Sequence, residues 1–370
     1  MIRVTGVAYF KLPNKIMNLR IVVNIIQNNL VTNMRCVSAR EADSYKEFLP
    51  RNSLKFFMGV LAIIAFYYPS QNALAQKTYT ADPSLIPHWR FEPNSPIATG
   101  EALVPPPFLA LFHDGQKYLG YVGTSHRKEL STQTFLLIKE AIQRFKPDII
   151  IIEGYPEKAG LSPKDFLKET KKCWDQKGGF NCGEIFYAVH LANLLGIPFI
   201  GGDPLPKEEW DYLETLGYDP EDYMGFNFVR KIPQEIRSVQ TTEKNLMDLF
   251  QASKERDLRN LGVKSNDFTY ASFLTWFEDN SQESFETSNV SEETYMPDVG
   301  PEATFIQNVS GHVNTVREAN IISTIAKTLN KYDRVLVVYG SSHYAMERRA
   351  LKKMLGTPSM YIKKFSDMLK

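Results

Sequence analysis

The most constraining stretch of this chain is Arg334-Val-Leu-Val-Val-Tyr-Gly-Ser-Ser-His343, a β-branched apolar run that stops at a glycine and delivers a histidine three residues later. A strand with only one face buried alternates apolar and polar residues. An unbroken run of this length instead belongs to a strand covered on both faces, as in a parallel sheet with a helix layer on each side. Gly340 reads as a tight exit turn. Ile149-Ile-Ile-Ile152 and Ile197-Pro-Phe-Ile200 are two further runs of the same kind, the first ending at Glu153-Gly154 and the second at Gly201-Gly-Asp203. Between them the spacing turns helical. Phe135, Ile138, Ile142 and Phe145 mark a helix over 131–145 with Ser131 as its N-cap, Glu184 to Leu195 reads as a second, and Val316 to Leu329 as a third. Strand, helix, strand in alternation predicts an α/β fold with a mostly parallel central sheet flanked by helices.

One piece of that grammar occurs twice. Tyr118-Leu-Gly-Tyr-Val-Gly-Thr-Ser-His126 again runs from strand to Gly-x-Ser-His. It follows Phe108-Leu-Ala-Leu-Phe across Asp114-Gly115, which predicts an N-terminal hairpin. Ligands gather at the carboxyl ends of parallel strands, where helix N-termini also point. Four strand ends carry groups able to do chemistry there: His126, Glu153, Asp203 and His343. A helix that feeds a parallel strand begins at that same edge, which adds Glu184 and Arg317. Glu184 reads equally well as an acid in a first turn, with Asn181 as cap, and Asp203 before Pro204 as a turn residue. An arginine at a helix start opposes the dipole by up to about 1 kcal/mol, which makes Arg317 the less expected structural residue. His88, His113, His190 and His312 lack the strand-end setting and read as structural or surface.

Of 370 residues, 43 are Lys or Arg and 42 Asp or Glu, so no global field or basic run argues for a nucleic-acid partner. Residues 1–75 read as a leader. Arg51 and Lys55 precede an apolar run from Phe56 to Tyr68, and Ala73-Leu-Ala75 before Gln76 fits signal-peptidase cleavage, so a signal peptide over 51–75 is expected. The residues ahead of it suggest a start codon placed too early, with Met34 or Met58 as alternatives. The run is shorter than the ~20 residues of a spanning helix, so no stable membrane span is expected after cleavage, an uncleaved anchor being the alternative. Export to the periplasm or outside the cell follows, and there Cys173 and Cys182 can pair as a disulfide. Residues 76–107 read as an extended lead-in, 108–204 and 311–370 as the two parts of the α/β core, and 205–310 as an inserted helical cap. Within the cap, 279–301 is polar and aperiodic and reads as a loop.

The ordered set of a strand ending Gly-Thr-Ser-His126, then Pro-Asp-Ile-Ile-Ile-Ile-Glu153-Gly, Arg317, and a strand ending Gly-Ser-Ser-His343 resembles the TraB/GumN family, which includes the Tiki proteins. That family falls within a wider group with the erythromycin esterases and the ChaN haem-binding proteins. The resemblance covers roughly 108–155 and 312–355. It departs after His343, where Tyr-Ala-Met-Glu-Arg-Arg replaces a small glycine-containing loop. It implies that His126, Glu153, Arg317 and His343 form a hydrolytic site for a peptide or small-molecule substrate. In its metal-dependent form, a Mn, Co, Fe or Zn ion is held by His126, Glu153 and His343, with Glu184 or Asp203 completing the shell. In its metal-free form, Glu153 orients a histidine as general base. Arg317 stabilises the oxyanion in both. The alternative class is a non-catalytic protein that binds metal, haem or a peptide. Ser341 and Ser342 sit in no G-x-S-x-G frame, which disfavours a serine hydrolase.

Overall fold

The structure, a computed structural model, describes residues 11–12, 15–16 and most of 77–364, apart from short segments of which 87–103 and 155–162 are the longest. The chain divides into two units, residues 1–77 and 78–370. In the first, Lys11–Leu12 pairs antiparallel with Lys15–Ile16; the signal segment expected at 51–75 lies outside the described residues, as does much of the lead-in. Among the described residues no helix is long and apolar enough to cross a membrane.

The second unit is built on six strands: β1 (Phe108–His113), β2 (Tyr118–Thr124), β3 (Ile149–Ile152), β4 (Phe199–Gly201), β5 (Arg334–Gly340) and β6 (Met360–Ile362). Their order is β4-β3-β5-β2-β1-β6. The four strands from β4 to β2 are mutually parallel, and β1 is antiparallel to both β2 and β6. The hairpin and the mostly parallel sheet are therefore as the sequence implies. The apolar runs explain the placement. Every residue of β3 is buried, as is β5 from Val335 onward, and these are the two central strands of the parallel block.

Alternate residues of each strand face opposite layers. Ile149, Ile151, Val335, Val337 and Tyr339 pack against α8 (Phe305–Leu329) and α9 (Ser341–Leu355), while Ile150, Ile152, Leu336 and Val338 pack against α1 (Gln133–Phe145) and α3 (Glu184–Leu195). Each such side chain, once fully buried, contributes about 1.5–3 kcal/mol. Helix α2 (Pro163–Lys172) lies alongside α3 and is followed by the Cys173–Cys182 disulfide. The lead-in is pinned where Tyr79 and Asn330 exchange two 2.8 Å hydrogen bonds between main chain and amide.

The insertion is helical as expected: α4 (Pro206–Thr215), α5 (Pro220–Ile236), α6 (Glu243–Leu261) and α7 (Tyr270–Ser281). They close on an aromatic core of Trp210, Tyr223, Phe226, Phe228, Phe250, Phe273 and Phe277. Part of the polar 279–301 stretch is tied to this core: Val290 is buried in it, and Glu293–Tyr295 forms a 3-10 turn.

Four local expectations differ. The N-cap of α1 is Thr132, without a side-chain bond, instead of Ser131. The third parallel strand is Phe199–Gly201, two residues beyond the start expected at Ile197. Gly340 makes no turn: with φ −57° it is the N-cap of α9, which starts at the next residue. Most consequentially, the helix expected from Val316 starts at Phe305, where Thr304 and Gln307 form a capping box. The resulting helix is 25 residues long, about 37 Å at 1.5 Å per residue. Its first half (Ile306, Val309, Val313) belongs to the cap core and its second half (Ile321, Ile322, Ile325, Leu329) to the sheet core. Gly311, His312, Asn314 and Thr315 are weak helix formers, and tertiary packing overrides their propensity.

Candidate functional site

Helix α8 crosses the carboxyl edge of the sheet where its allegiance changes from cap to core, and Arg317 sits at that crossing. The position is therefore mid-helix, and the dipole reasoning from a helix start does not apply to it. Arg317 is held instead by carboxylates. One guanidinium nitrogen donates to Glu153 at 3.3 Å and to both oxygens of Asp203 at 3.2 Å. Asp203 also accepts from the Tyr339 hydroxyl and, at 3.1 Å, from the Gly154 N–H. Its role is to fix the arginine. The other oxygen of Glu153 accepts the Gly340 N–H at 2.7 Å. Burial alone would raise the Glu153 carboxyl, but hydrogen bonding from His343 and the charges of His343, Arg317 and His126 hold it well below the ordinary carboxylate range.

The two histidines that end Gly-x-Ser-His are each tied at Nδ1 to a buried carboxylate from a neighbouring helix. His126 bonds Glu184 Oε1 at 2.7 Å, and Thr124 donates to the same oxygen at 3.3 Å. Glu184 is the acid in the first turn of α3, whose N-cap is Gly183, and its carboxylate also faces His126. His343 bonds Glu318 Oε1 at 2.5 Å, while its Nε2 lies 3.6 Å from Glu153 Oε1. A side-chain carbon at position 340 would lie 3.3 Å from the His343 ring, 3.9 Å from His126 Nε2 and 3.2 Å from Glu153 Oε2. Both rings thus lie beside Gly340, and a side chain there would crowd the space between them.

Their environments differ. The His126 side chain is 72% exposed, and its pKa is raised chiefly by the bond to Glu184. The His343 side chain is 11% exposed; burial works against its charge, but Glu318 and Glu153 overcome this and push its pKa up to about 10. His343 is therefore a cation at neutral pH, placed in the first turn of α9 against the dipole, with carboxylates on two sides. His113 stacks on Tyr118, His190 lies against Trp174 and His312 against Tyr212 and Tyr218, all away from this space. His88 lies outside the described residues.

Sequence reasoning missed Glu318 and Glu347. Glu347 lies one turn after His343 on α9, a spacing visible only once 341–355 is known to be helical. Among the described residues, the group whose ligand atoms all lie within 4.8 Å of one another is Glu318, His343 and Glu347, and it could hold a metal ion. The set that the resemblance implies, His126, Glu153 and His343, is not that group. As placed it suits a dication poorly, since the permanent charge of Arg317 stands 3.3 Å from Glu153 and both oxygens of Glu153 already accept hydrogen bonds.

No family model, no curated protein and no solved structure matches the chain.

Proposed function

We propose that this protein is a hydrolase of peptide or ester bonds, with His126 as general base and Arg317 and His343 as the electrophilic pair. The observation that carries the reading is the shared opening over Gly340. One imidazole is exposed and oriented by Glu184, and opposite it stand two cations whose counter-ions, Glu153 and Asp203, are fixed by the main chain and by Tyr339. A substrate carbonyl in that opening has its oxygen toward Arg317 and His343 and its carbon toward a water on His126 Nε2. The water oxygen bonds to the carbonyl carbon, its proton passes to Nε2, and the negative charge that forms on the carbonyl oxygen meets the two cations. Collapse breaks the bond to the leaving group, which takes the proton from Nε2. Glu184 keeps Nδ1 protonated and stabilises the imidazolium.

The Cys173–Cys182 disulfide supports an oxidising compartment and hence export. The test is a screen of fluorogenic peptides and aryl esters against the purified chain. Turnover is expected, falling about 10²–10⁴-fold in His126→Ala with the fold intact. A folded protein with no turnover of either class, or turnover indifferent to His126, overturns the proposal, and the first result favours a binding protein.

A further inference from the structure

Behind the rim the structure holds a feature that the hydrolytic reading leaves unused. Glu318 and Glu347 are 3% and 0% exposed. Glu318 Oε1 is taken by His343 and Glu347 Oε1 accepts from the Tyr121 hydroxyl at 3.2 Å, yet among the described residues Glu318 Oε2 and Glu347 Oε2 have no hydrogen-bond partner. An uncompensated buried carboxylate oxygen costs several kcal/mol, and two facing each other cost more. Such a pair either keeps a proton or takes a positive charge between its members.

We infer that Glu318, Glu347 and His343 form a divalent-cation site, with a donor set different from the one implied by the family resemblance. The three ligand atoms fall within 4.8 Å of one another, a separation that one ion can bridge after small side-chain adjustments. Two carboxylate oxygens and one imidazole nitrogen suit Zn²⁺, Mn²⁺ or Fe²⁺. The ion takes the place of the Nδ1 proton now given to Glu318 and of any proton held by the carboxyl pair, and these leave to solvent; the loaded imidazole then faces Glu153 as a neutral Nε2–H donor in place of the metal-free cation. The Tyr121 hydroxyl is near enough to Glu347 to hold that ligand in place. The three residues come from α8 and α9, so the ion also clamps the helix that carries Arg317 to the one that carries His343.

The test is calorimetric titration of the full chain, stripped with chelator, with Zn²⁺ and separately with Mn²⁺, read without substrate so that it stands whether or not the protein is a hydrolase. One ion per chain is expected. Glu347→Gln and Glu318→Gln, which preserve shape, should each weaken it by about 10–100-fold, while His126→Ala leaves it unchanged. Anomalous scattering at the metal edge in crystals of the loaded wild type should place the ion between α8 and α9, which decides the matter even if a variant fails to fold. No binding by the wild type means that the carboxyl pair shares a proton and overturns the inference. Binding that survives Glu347→Gln and disappears in His126→Ala puts the ion at the rim and overturns it equally.

Discussion

The same four-residue pattern ends two strands of this protein and yields histidines of different kinds. After β2, Ser125 and His126 lie outside any helix, and the imidazole is largely exposed with one carboxylate behind it. After β5, Gly-Ser-Ser-His343 is already the first turn of α9, and the imidazole is packed among Glu153, Glu318 and Glu347. The local sequence is alike in both, but the backbone exits differ and the neighbouring elements give them different chemistry. α3 brings one acid to the first, whereas α8 and α9 bring two to the second. The exposed ring has its pKa raised by the bond to Glu184. The buried one is fixed as a cation.

The widest gap between the two should be in stability. His343→Ala removes the charge that compensates buried Glu318 and Glu153, which should cost about 3–5 kcal/mol. His126→Ala removes an exposed ring but takes one of two donors from buried Glu184, and should cost less, about 1–2 kcal/mol. Urea denaturation of the two variants measures the difference. Equal losses would mean that the rings are not differently placed, and the contrast would fail.

The pH dependence of unfolding sharpens the same point. In metal-free buffer His343 is raised from 6.5 to about 10 on folding, so its stabilisation is whole below pH 6.5 and is lost as the pH climbs toward 10. Glu153 is shifted the other way. Its contribution is present above its ordinary 4.5 and is lost as the pH falls below that value. Stability should therefore be highest between the two limbs, and the alkaline limb should disappear in His343→Ala while persisting in His126→Ala. Thermal melts across pH 4–10 would show a limb that ignores His343 if this assignment is wrong.

A smaller effect separates His126 from its own support. Glu184→Gln leaves the ring in place but removes the charged hydrogen-bond acceptor that raises its pKa, so the rising limb of kcat/KM against pH should move to lower pH. The plateau should fall about 10–100-fold, because the imidazolium formed in the reaction loses its partner. An unmoved limb would mean that His126 is not the titrating base.

The sheet was legible because its signal is local: the isoleucine run of β3 and the valine run of β5 admit few other placements, and Asp114-Gly115 marks the hairpin. Four strand-end residues, His126, Glu153, Asp203 and His343, could be placed on one rim for the same reason, since parallel strands share an edge. What lay beyond the sequence was carried by tertiary contacts. The extension of α8 to Phe305 depends on burying Ile306, Val309 and Val313 among cap aromatics far along the chain, against the weak helix preference of Gly311 to Thr315. Glu318 could not be identified as the partner of His343 while Arg317 seemed to begin a helix, nor Glu347 while Gly340 seemed to begin a turn.

The smallest effect concerns the two glycines of the repeated pattern, which the comparison predicts to be required for different reasons. A β-carbon at Gly123 would lie 2.3 Å from the Phe108 ring, inside the sheet core, so Gly123→Ala should cost about 1–3 kcal/mol through overpacking and leave the chemistry of the folded fraction unchanged. A β-carbon at Gly340 would meet the Glu153 carboxylate at 3.2 Å and the His343 ring at 3.3 Å, contacts that side chains can relieve by a few tenths of an ångström. Its φ of −57° suits alanine. Gly340→Ala should therefore change stability by less than about 1 kcal/mol and instead lower kcat/KM by narrowing the opening between the rings. Measuring both parameters for both variants crosses stability with activity. If Gly340→Ala unfolds the chain and leaves turnover per folded molecule untouched, the space above Gly340 is a packing detail and the histidines on either side of it do not share a substrate.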